Sequence, residues 1–480
     1  KKNLRRQHAA ANNMSAAGKV GFVAKLSARE IALKVLMSVE EEGSYANLCL
    51  NKILEKYRPG KLDRAFATEL TYGTLRFMNT VDWILGQFVK KPLNTQTAAV
   101  RNILRLGVYQ LMFLDKVPPS AVCNESAEMA KRHGHPGEVK FVNGVLRSIS
   151  RQSSEIRFPD LADDPIAHIS IKYSHPAWLV ERWLNEFGPE ETIMLCQSNN
   201  VPAPNTVRVN TLKTTRKELI ERLESEGMRA RETAIAPEGI VIEGFLSIGS
   251  MAAFREGLFQ VQDESSMLAG RALAPEPGSV VLDPCSAPGG KATHLAQLMD
   301  NRGEIVAVDI HPHKLALIKE NCARLGISMI KVITGDARAL PENLHNSADY
   351  VLVDAPCSGL GVLGRRPDAR WRKKPDQIAE LVKLQAEILE SSARCVKDNG
   401  VMVYCTCTIT REENLGQVED FLSKHPEFTM EDMTALLPRE LDTEGTMSRG
   451  YLQILPHRHR MDGFCIARMR KKGIIKDHGE

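Results

Sequence analysis

Val280-Val-Leu-Asp-Pro-Cys-Ser-Ala-Pro-Gly-Gly-Lys291 decides how the second half of this chain folds. Val280 to Leu282 read as a short buried strand that ends in an acid, Asp283. Residues 284–291, with two prolines and two glycines, form a tight loop, and 292–299 reads as a helix. The next strand, 305–308, ends in Asp309, twenty residues after Gly289. That is the spacing at which a doubly wound α/β fold places an acid on a ribose.

The loop lacks the three-glycine dinucleotide signature, and no glycine stands five residues before Gly290, so it is not a P-loop. It calls for neither a nicotinamide pyrophosphate nor a triphosphate. A loop that lets backbone approach a ligand without cradling phosphates fits S-adenosylmethionine. Further strands follow at 330–334 (then Gly335-Asp336), 350–353 and 401–404. A terminal pair near 451–455 and 463–469 suits an antiparallel sheet edge.

Two strand ends carry reactive side chains. Val351-Leu-Val-Asp-Ala-Pro-Cys-Ser-Gly-Leu-Gly361 presents a carboxylate, Asp354, and a thiol, Cys357, in a loop forced by Pro356, Gly359 and Gly361. Val401-Met-Val-Tyr404 ends in Cys405-Thr-Cys407. In a parallel sheet both carboxyl ends share one edge, where ligands bind, so two thiols can face one substrate. Buried, inert packing is the alternative for any single cysteine, but such cysteines have no need of strand-end loops.

Composition is that of a globular chain, 43% hydrophobic and 25% charged, and the length of 480 residues implies several domains. No apolar run is long enough to span a membrane. The ten cysteines are scattered, which with no signal peptide indicates a reduced, cytoplasmic protein rather than a disulfide framework. Net charge is only +4, but basic residues cluster at 1–27 without an acid, at Arg365 to Lys374, and from His457 to Lys472. The last two clusters share the half that bears the thiols, which suits a nucleic-acid substrate. Residues 1–26 are expected to be disordered; they resemble a transit peptide only faintly.

From Ser27 to about residue 149 the pattern is helical. Ser27-Ala-Arg-Glu30 is a capping box, and helices are expected at 62–77, 81–88, 98–113, 120–132 and 140–150. An all-α bundle follows. Ala28-Arg-Glu-Ile-Ala-Leu-Lys-Val-Leu36, Leu104-Arg-Leu-Gly-Val-Tyr-Gln-Leu111, Val117-Pro-Pro-Ser-Ala-Val122 and Phe141-Val-Asn-Gly-Val-Leu146 resemble the NusB family of RNA-binding helical domains. Residues 151–164 read as a linker. Helices at 176–187 and 189–197, a strand at 206–210, a helix at 216–226 and a strand near 239–242 make a small α+β module with no identifiable chemistry of its own. The expected fold is multidomain: a basic tail (1–26), an all-α NusB-like bundle (27–155), an α+β, RRM-like linking module (165–265) and a Rossmann-like methyltransferase domain (266–475).

Asp283 to Lys291, Asp354-Ala-Pro-Cys-Ser-Gly359, Tyr404-Cys-Thr-Cys407 and Leu455-Pro-His-Arg-His-Arg-Met-Asp-Gly463 resemble successive motifs of the RNA cytosine-C5 methyltransferases. With the NusB-like front end, the resemblance is to their bacterial 16S rRNA branch and spans about 28–470. It implies methylation of carbon 5 of one cytosine, cytosine 967 of 16S rRNA, by a protein acting as a monomer, without metal, on S-adenosylmethionine. It makes Cys407 the nucleophile and Cys357 an aid to product release, a choice the residues alone leave open. It places Cys285, Ser286, Ala287, Pro288, Gly289, Gly290 and Lys291 at the methionine end of the cofactor, Asp309 on the ribose hydroxyls and Asp336 on the adenine; Asp354 also borders this site. Cys405 stands where many relatives have serine.

The chemistry is intelligible from first principles. Carbon 5 of cytosine is too weakly nucleophilic to take a methyl group unaided, and a thiolate adding to carbon 6 activates it. The site must therefore favour thiolate, since a free cysteine titrates near ~8.5. Addition places electron density on N3, where Asp354 could donate a proton if held protonated. Competing readings are a four-thiolate zinc site from Cys285, Cys357, Cys405 and Cys407, an exocyclic-amino methyltransferase, an enzyme acting on another RNA, and a non-enzymatic RNA-binding assembly factor.

Overall fold

The computed structural model describes residues 26–245 and 247–473. They form two compact units, one of residues 26–73 and 94–147, the other of 74–93 and 148–473. The disorder expected for 1–26 falls, apart from Leu26, outside the described residues.

The chain opens with helices α1 (Ala28–Glu41), α2 (Ala46–Tyr57), α3 (Lys61–Arg76), α4 (Met78–Phe88), α5 (Ala98–Phe113), α6 (Pro119–His133) and α7 (Pro136–Arg151). The capping box at α1 is formed: Ser27 Oγ accepts from the Glu30 N–H at 3.3 Å, and Glu30 Oε2 accepts from the Ser27 N–H at 2.9 Å. Ile31, Val35 and Leu36 then face a core shared with Leu50, Val100, Ile103, Leu104 and Leu146. Gly107 lets α5 and α7 approach closely, because a Cβ there would lie 2.6 Å from Leu146 Cδ1. Residues 74–93, with α4, belong to the second unit, where Thr80 Oγ1 donates to the Ile171 carbonyl at 2.5 Å.

The second unit continues with α8 (Pro165–Lys172) and α9 (Ala177–Asn199). Gly188, with φ +76°, and Pro189 break α9 into the two helices expected there. Helix α8 is too short to show a period in sequence. The linking module contains β1 (Thr206–Val209), α10 (Arg216–Ser225), β2 (Arg229–Glu232), β3 (Gly239–Glu243), α11 (Ala252–Arg255) and β4 (Phe259–Val261). Its antiparallel sheet runs β2-β3-β1-β4. Strand β2, Arg-Ala-Arg-Glu, was not foreseen because an exposed, charged edge strand carries no apolar alternation.

The remainder is α12 (Glu264–Leu273), β5 (Val280–Asp283), α13 (Gly290–Leu298), β6 (Glu304–Asp309), α14 (Pro312–Leu325), β7 (Ile330–Thr334), β8 (Ala348–Asp354), α15 (Ala369–Arg372), α16 (Pro375–Ala393), β9 (Val396–Thr406), α17 (Leu415–Lys424), β10 (Phe428–Met430), β11 (Tyr451–Ile454), α18 (Pro456–His459) and β12 (Phe464–Lys471). Among the described residues the sheet order is β10-β12-β9-β8-β5-β6-β7, with β11 also on β12. Strands β5 to β9 are mutually parallel, and β12 is antiparallel to β9. The terminal pair is antiparallel as expected, but β12 lies inside the sheet, bonded to β9 on one side and to β10 and β11 on the other. Strand order reverses between β5 and β8, so the ligand crevice lies beyond their carboxyl ends. Both faces are covered: Val401, Val403 and Cys405 pack into one core, Met402 and Tyr404 into the other.

Candidate active site

Strand register sets the site. Asp354 on β8 lies opposite Cys405 on β9, and the loop beyond is stitched to β9 by Ala355 N–H to Cys405 O (3.0 Å) and Gly361 N–H to Cys407 O (3.1 Å). These ties bring the two half-buried thiols together: Cys357 Sγ and Cys407 Sγ are 3.3 Å apart, both reduced. Lys291, at the first turn of α13, places Nζ 2.6 Å from Asp354 Oδ2 and 5.2 Å from the Phe464 ring centroid. Cys405, fully buried, points its thiol at Asp354 Oδ1 at 3.7 Å.

The thiols are electrostatically unequal. The hydrogen bond from Cys357 lowers the pKa of Cys407; burial and Asp354 oppose this, while Lys291 and Arg366 assist it. Cys357 is held well above the ordinary thiol range by its bond to Cys407, by burial and by the Cys407 and Glu413 charges. Cys405 is also held high, first by burial and then by Asp354. One thiolate, flanked by two neutral thiols, is the arrangement these charges favour.

Glu413 was not singled out from sequence. Fully buried, it accepts from the Ser358 N–H (2.7 Å), Ser358 Oγ (2.5 Å), Thr410 Oγ1 (2.6 Å) and Gln385 Nε2 (3.1 Å). Gln385 also donates to the Pro356 carbonyl at 2.9 Å. Thr408 Oγ1 lies 2.7 Å from Ser358 Oγ, so this network ties the Cys357 loop to the segment after Cys407. The only hint in sequence was acids in Thr410-Arg-Glu-Glu-Asn414, just past the thiol pair.

The cofactor half is differently made. Gly289, with φ +93°, turns the loop into α13, and beyond Gly290 a Cβ would meet open space. Arg208 of β1, fully buried, donates to the Gly290 carbonyl at 2.7 Å and to Thr293 Oγ1 at 3.1 Å, so the linking module braces this loop. Asp309 ends β6 with Oδ1 accepting from the His311 N–H at 2.9 Å. Asp336 is gripped by the Arg338 guanidinium at 2.6 and 3.0 Å, which lowers its pKa. Asp283 is fully buried, and among the described residues neither of its oxygens has a hydrogen-bond partner. Burial, then the charge of Asp354, pushes it up to about 7. Asp283, Asp354, Asp309 and Asp336 all raise the pKa of the buried Cys285 thiol, in that order after burial itself.

Four carboxylates converging on a glycine loop with an open backbone face fit a ligand that carries positive charge. S-adenosylmethionine, with its sulfonium and ammonium groups, fits. Lys291 turns toward Asp354. Asp354, a candidate proton donor to N3, is one half of an ion pair with the Lys291 ammonium at 2.6 Å. Among the described residues no cluster of ligating side chains suits a metal ion, and no helix is long and apolar enough to cross a membrane.

Fold and site together define a doubly wound methyltransferase with a paired-thiol centre. Comparison with known proteins gives the family. Residues 270–470 match the 16S rRNA methyltransferase RsmB/F family, 26–151 the NusB family, and 175–249 the ferredoxin-like domain of RsmF/B-like methyltransferases. The chain is 40% identical over 452 residues to a probable ribosomal RNA small subunit methyltransferase B of Bacillus subtilis, covering 94% of this chain and 100% of that protein. The crystal structure of PH0851 matches with a TM-score of 0.79 at 30% identity, over 93% of this chain and 99% of that one. NSun6 from Pyrococcus horikoshii, solved with SFG, matches with a TM-score of 0.56 at 27% identity, over 62% and 98%. The chain belongs to the RsmB/F family of 16S rRNA methyltransferases. It is a methyltransferase of small-subunit ribosomal RNA, with a NusB-like helical domain, a ferredoxin-like module and a mixed-sheet methyltransferase domain.

Proposed function

We propose that this chain methylates carbon 5 of a single cytosine in 16S rRNA, cytosine 967, through a covalent adduct between Cys407 and carbon 6 of the base. The observation that carries this reading is the unequal thiol pair, 3.3 Å apart at the crevice edge. S-adenosylmethionine, when bound, supplies an electrophilic methyl group. Cys407, as the favoured thiolate, adds to carbon 6 and makes carbon 5 nucleophilic. Electron density gathering at N3 draws a proton, which Asp354 delivers from Lys291, 2.6 Å behind it. After methyl transfer, bulk water takes the C5 proton, the C6–S bond breaks so that Cys407 leaves as thiolate, and the N3 proton returns through Asp354 to Lys291. The Cys357 thiol stabilises that thiolate by donating to it.

Asp309 holds the ribose hydroxyls, Asp336 the adenine, and residues 285–291 the methionine end. The helical domain selects the RNA. Mapping 5-methylcytosine in rRNA from a strain lacking the gene tests the assignment. Loss of one small-subunit site is expected; an unchanged map would remove it.

A further inference from the structure

Beside the thiol loop lies a cavity of about 460 Å³ that the reaction does not use. Gly361, whose N–H bonds Cys407 O at 3.1 Å and whose carbonyl accepts from the Gly463 N–H at 2.8 Å, forms part of its wall. The floor is rigid: Arg365 is held by Asp263 at 2.5 Å, Asp462 at 2.8 Å and the Pro204 carbonyl at 3.0 Å. Around this floor several polar groups are left over. Asn199, 1% exposed, has among the described residues no hydrogen-bond partner for either atom of its side-chain amide. His457 is bonded to Glu191 through Nε2, but its buried Nδ1 has no partner among the described residues. Asp462 meets Arg365 through Oδ2, and Oδ1 makes no hydrogen bond among the described residues. Buried polar groups without partners are rare and call for an occupant.

The rim is of the opposite character. Met194 and Val201, 43% and 62% exposed, stand on it as apolar side chains in water. Arg460, also on the rim, is exposed and makes no ion pair among the described residues. Apolar flanks, an amide, an imidazole nitrogen, a carboxylate oxygen and a free guanidinium match the parts of a nucleotide: base faces, base edge and phosphate.

We propose that this cavity is a second nucleotide site, which takes a nucleobase flanking the target cytosine in the same RNA strand. The base lies against Met194 and Val201, Asn199, whose amide is closed off in the free protein, turns to its edge beside Asp462, and Arg460 meets its phosphate. This rests on the reading of the protein as an RNA cytosine methyltransferase, and it makes substrate choice depend on a neighbour of the target as well as on the target.

The test uses the full chain and an RNA stem-loop carrying the target cytosine, with each of the two nucleotides on either side replaced in turn by an abasic residue. Equilibrium binding is read by fluorescence anisotropy and methylation by tritium transfer. One flanking position is expected to lose roughly tenfold in affinity when abasic, the others little. Met194→Ala, which removes apolar contact, and Arg460→Ala, which removes a phosphate partner, both at exposed positions, should each weaken binding of intact RNA several-fold. Met194→Ala should lose nothing further on the critical abasic RNA. Equal binding of all abasic RNAs, or losses that simply add, would overturn the proposal. So would Asn199→Leu that melts higher than wild type and binds RNA unchanged, since the cavity would then hold only water. Wild-type protein that binds RNA but methylates no cytosine would sink the enzymatic reading, while the binding comparison would still decide the cavity.

Discussion

The two halves of the crevice are built on opposite plans. At the ends of β8 and β9 nearly every polar group has a partner: Glu413 accepts four hydrogen bonds, and Thr406 Oγ1 donates to Asn414 Oδ1 at 2.5 Å. Asn414 Nδ2 in turn donates to the Thr408 carbonyl at 3.0 Å. At the end of β5, Asp283 is buried with neither oxygen in a well-formed hydrogen bond among the described residues, only the Ser286 side chain and the Cys285 backbone standing near it. The difference follows from what each half must do. Two thiols must be held at one separation before any substrate arrives, so their loop is braced in advance. The other half waits for a positively charged ligand, and of its acids Asp283 stays unsatisfied until it comes.

If bracing is what the thiol half needs, removing its anchor should be the most damaging change outside the thiols. Glu413→Ala removes an acceptor from each of Ser358, Thr410 and Gln385. Stability is expected to fall by on the order of 3 kcal/mol, and kcat by about a hundredfold as the thiols separate. Cofactor KM should hold, and Glu413→Gln should recover part of the kcat. Equal loss of cofactor binding would show that the halves are not independent.

The waiting acid gives the converse. Because the Asp283 pKa is raised to about 7, the folded protein keeps a proton that the unfolded chain releases near ~4. Stability from this group is therefore complete below about pH 4 and is lost as pH rises through about 7. Asp283→Asn should flatten that slope and stabilise the free protein at pH 8 by on the order of 2 kcal/mol, while weakening cofactor binding. Chemical denaturation between pH 4 and 8 measures this. An unchanged slope would mean that Asp283 is not the proton holder.

Asp309→Ala, at a half-exposed strand end, is the mildest case. It should cost about 1–3 kcal/mol of S-adenosylmethionine affinity by calorimetry, with kcat nearly intact at saturation. Unchanged affinity would make Asp309 only the turn residue that accepts from His311.

Much of this was legible in the chain. Strand-end acids, the glycine loop and the two cysteine loops are local signals, and parallel register then places Asp354 opposite Cys405. What stayed hidden depends on long-range burial. Glu413 lies 55 residues from Ser358, and Arg208 lies 82 residues from Gly290. In sequence, each reads as a surface charge. The Lys291–Asp354 pair was hidden for the same reason: both residues were singled out, but their meeting depends on β5 and β8 being neighbours.

The central claim is that Cys407 attacks and Cys357 releases. Each serine variant, incubated with target RNA and S-adenosylmethionine and run on a denaturing gel, tests it directly. Cys357→Ser should accumulate a slow-migrating covalent RNA adduct. Cys407→Ser should show none, because its hydroxyl stays protonated and the neighbouring Cys405 thiol is fully buried against Asp354. An adduct with Cys407→Ser but not with Cys357→Ser, or none with either, would contradict the account.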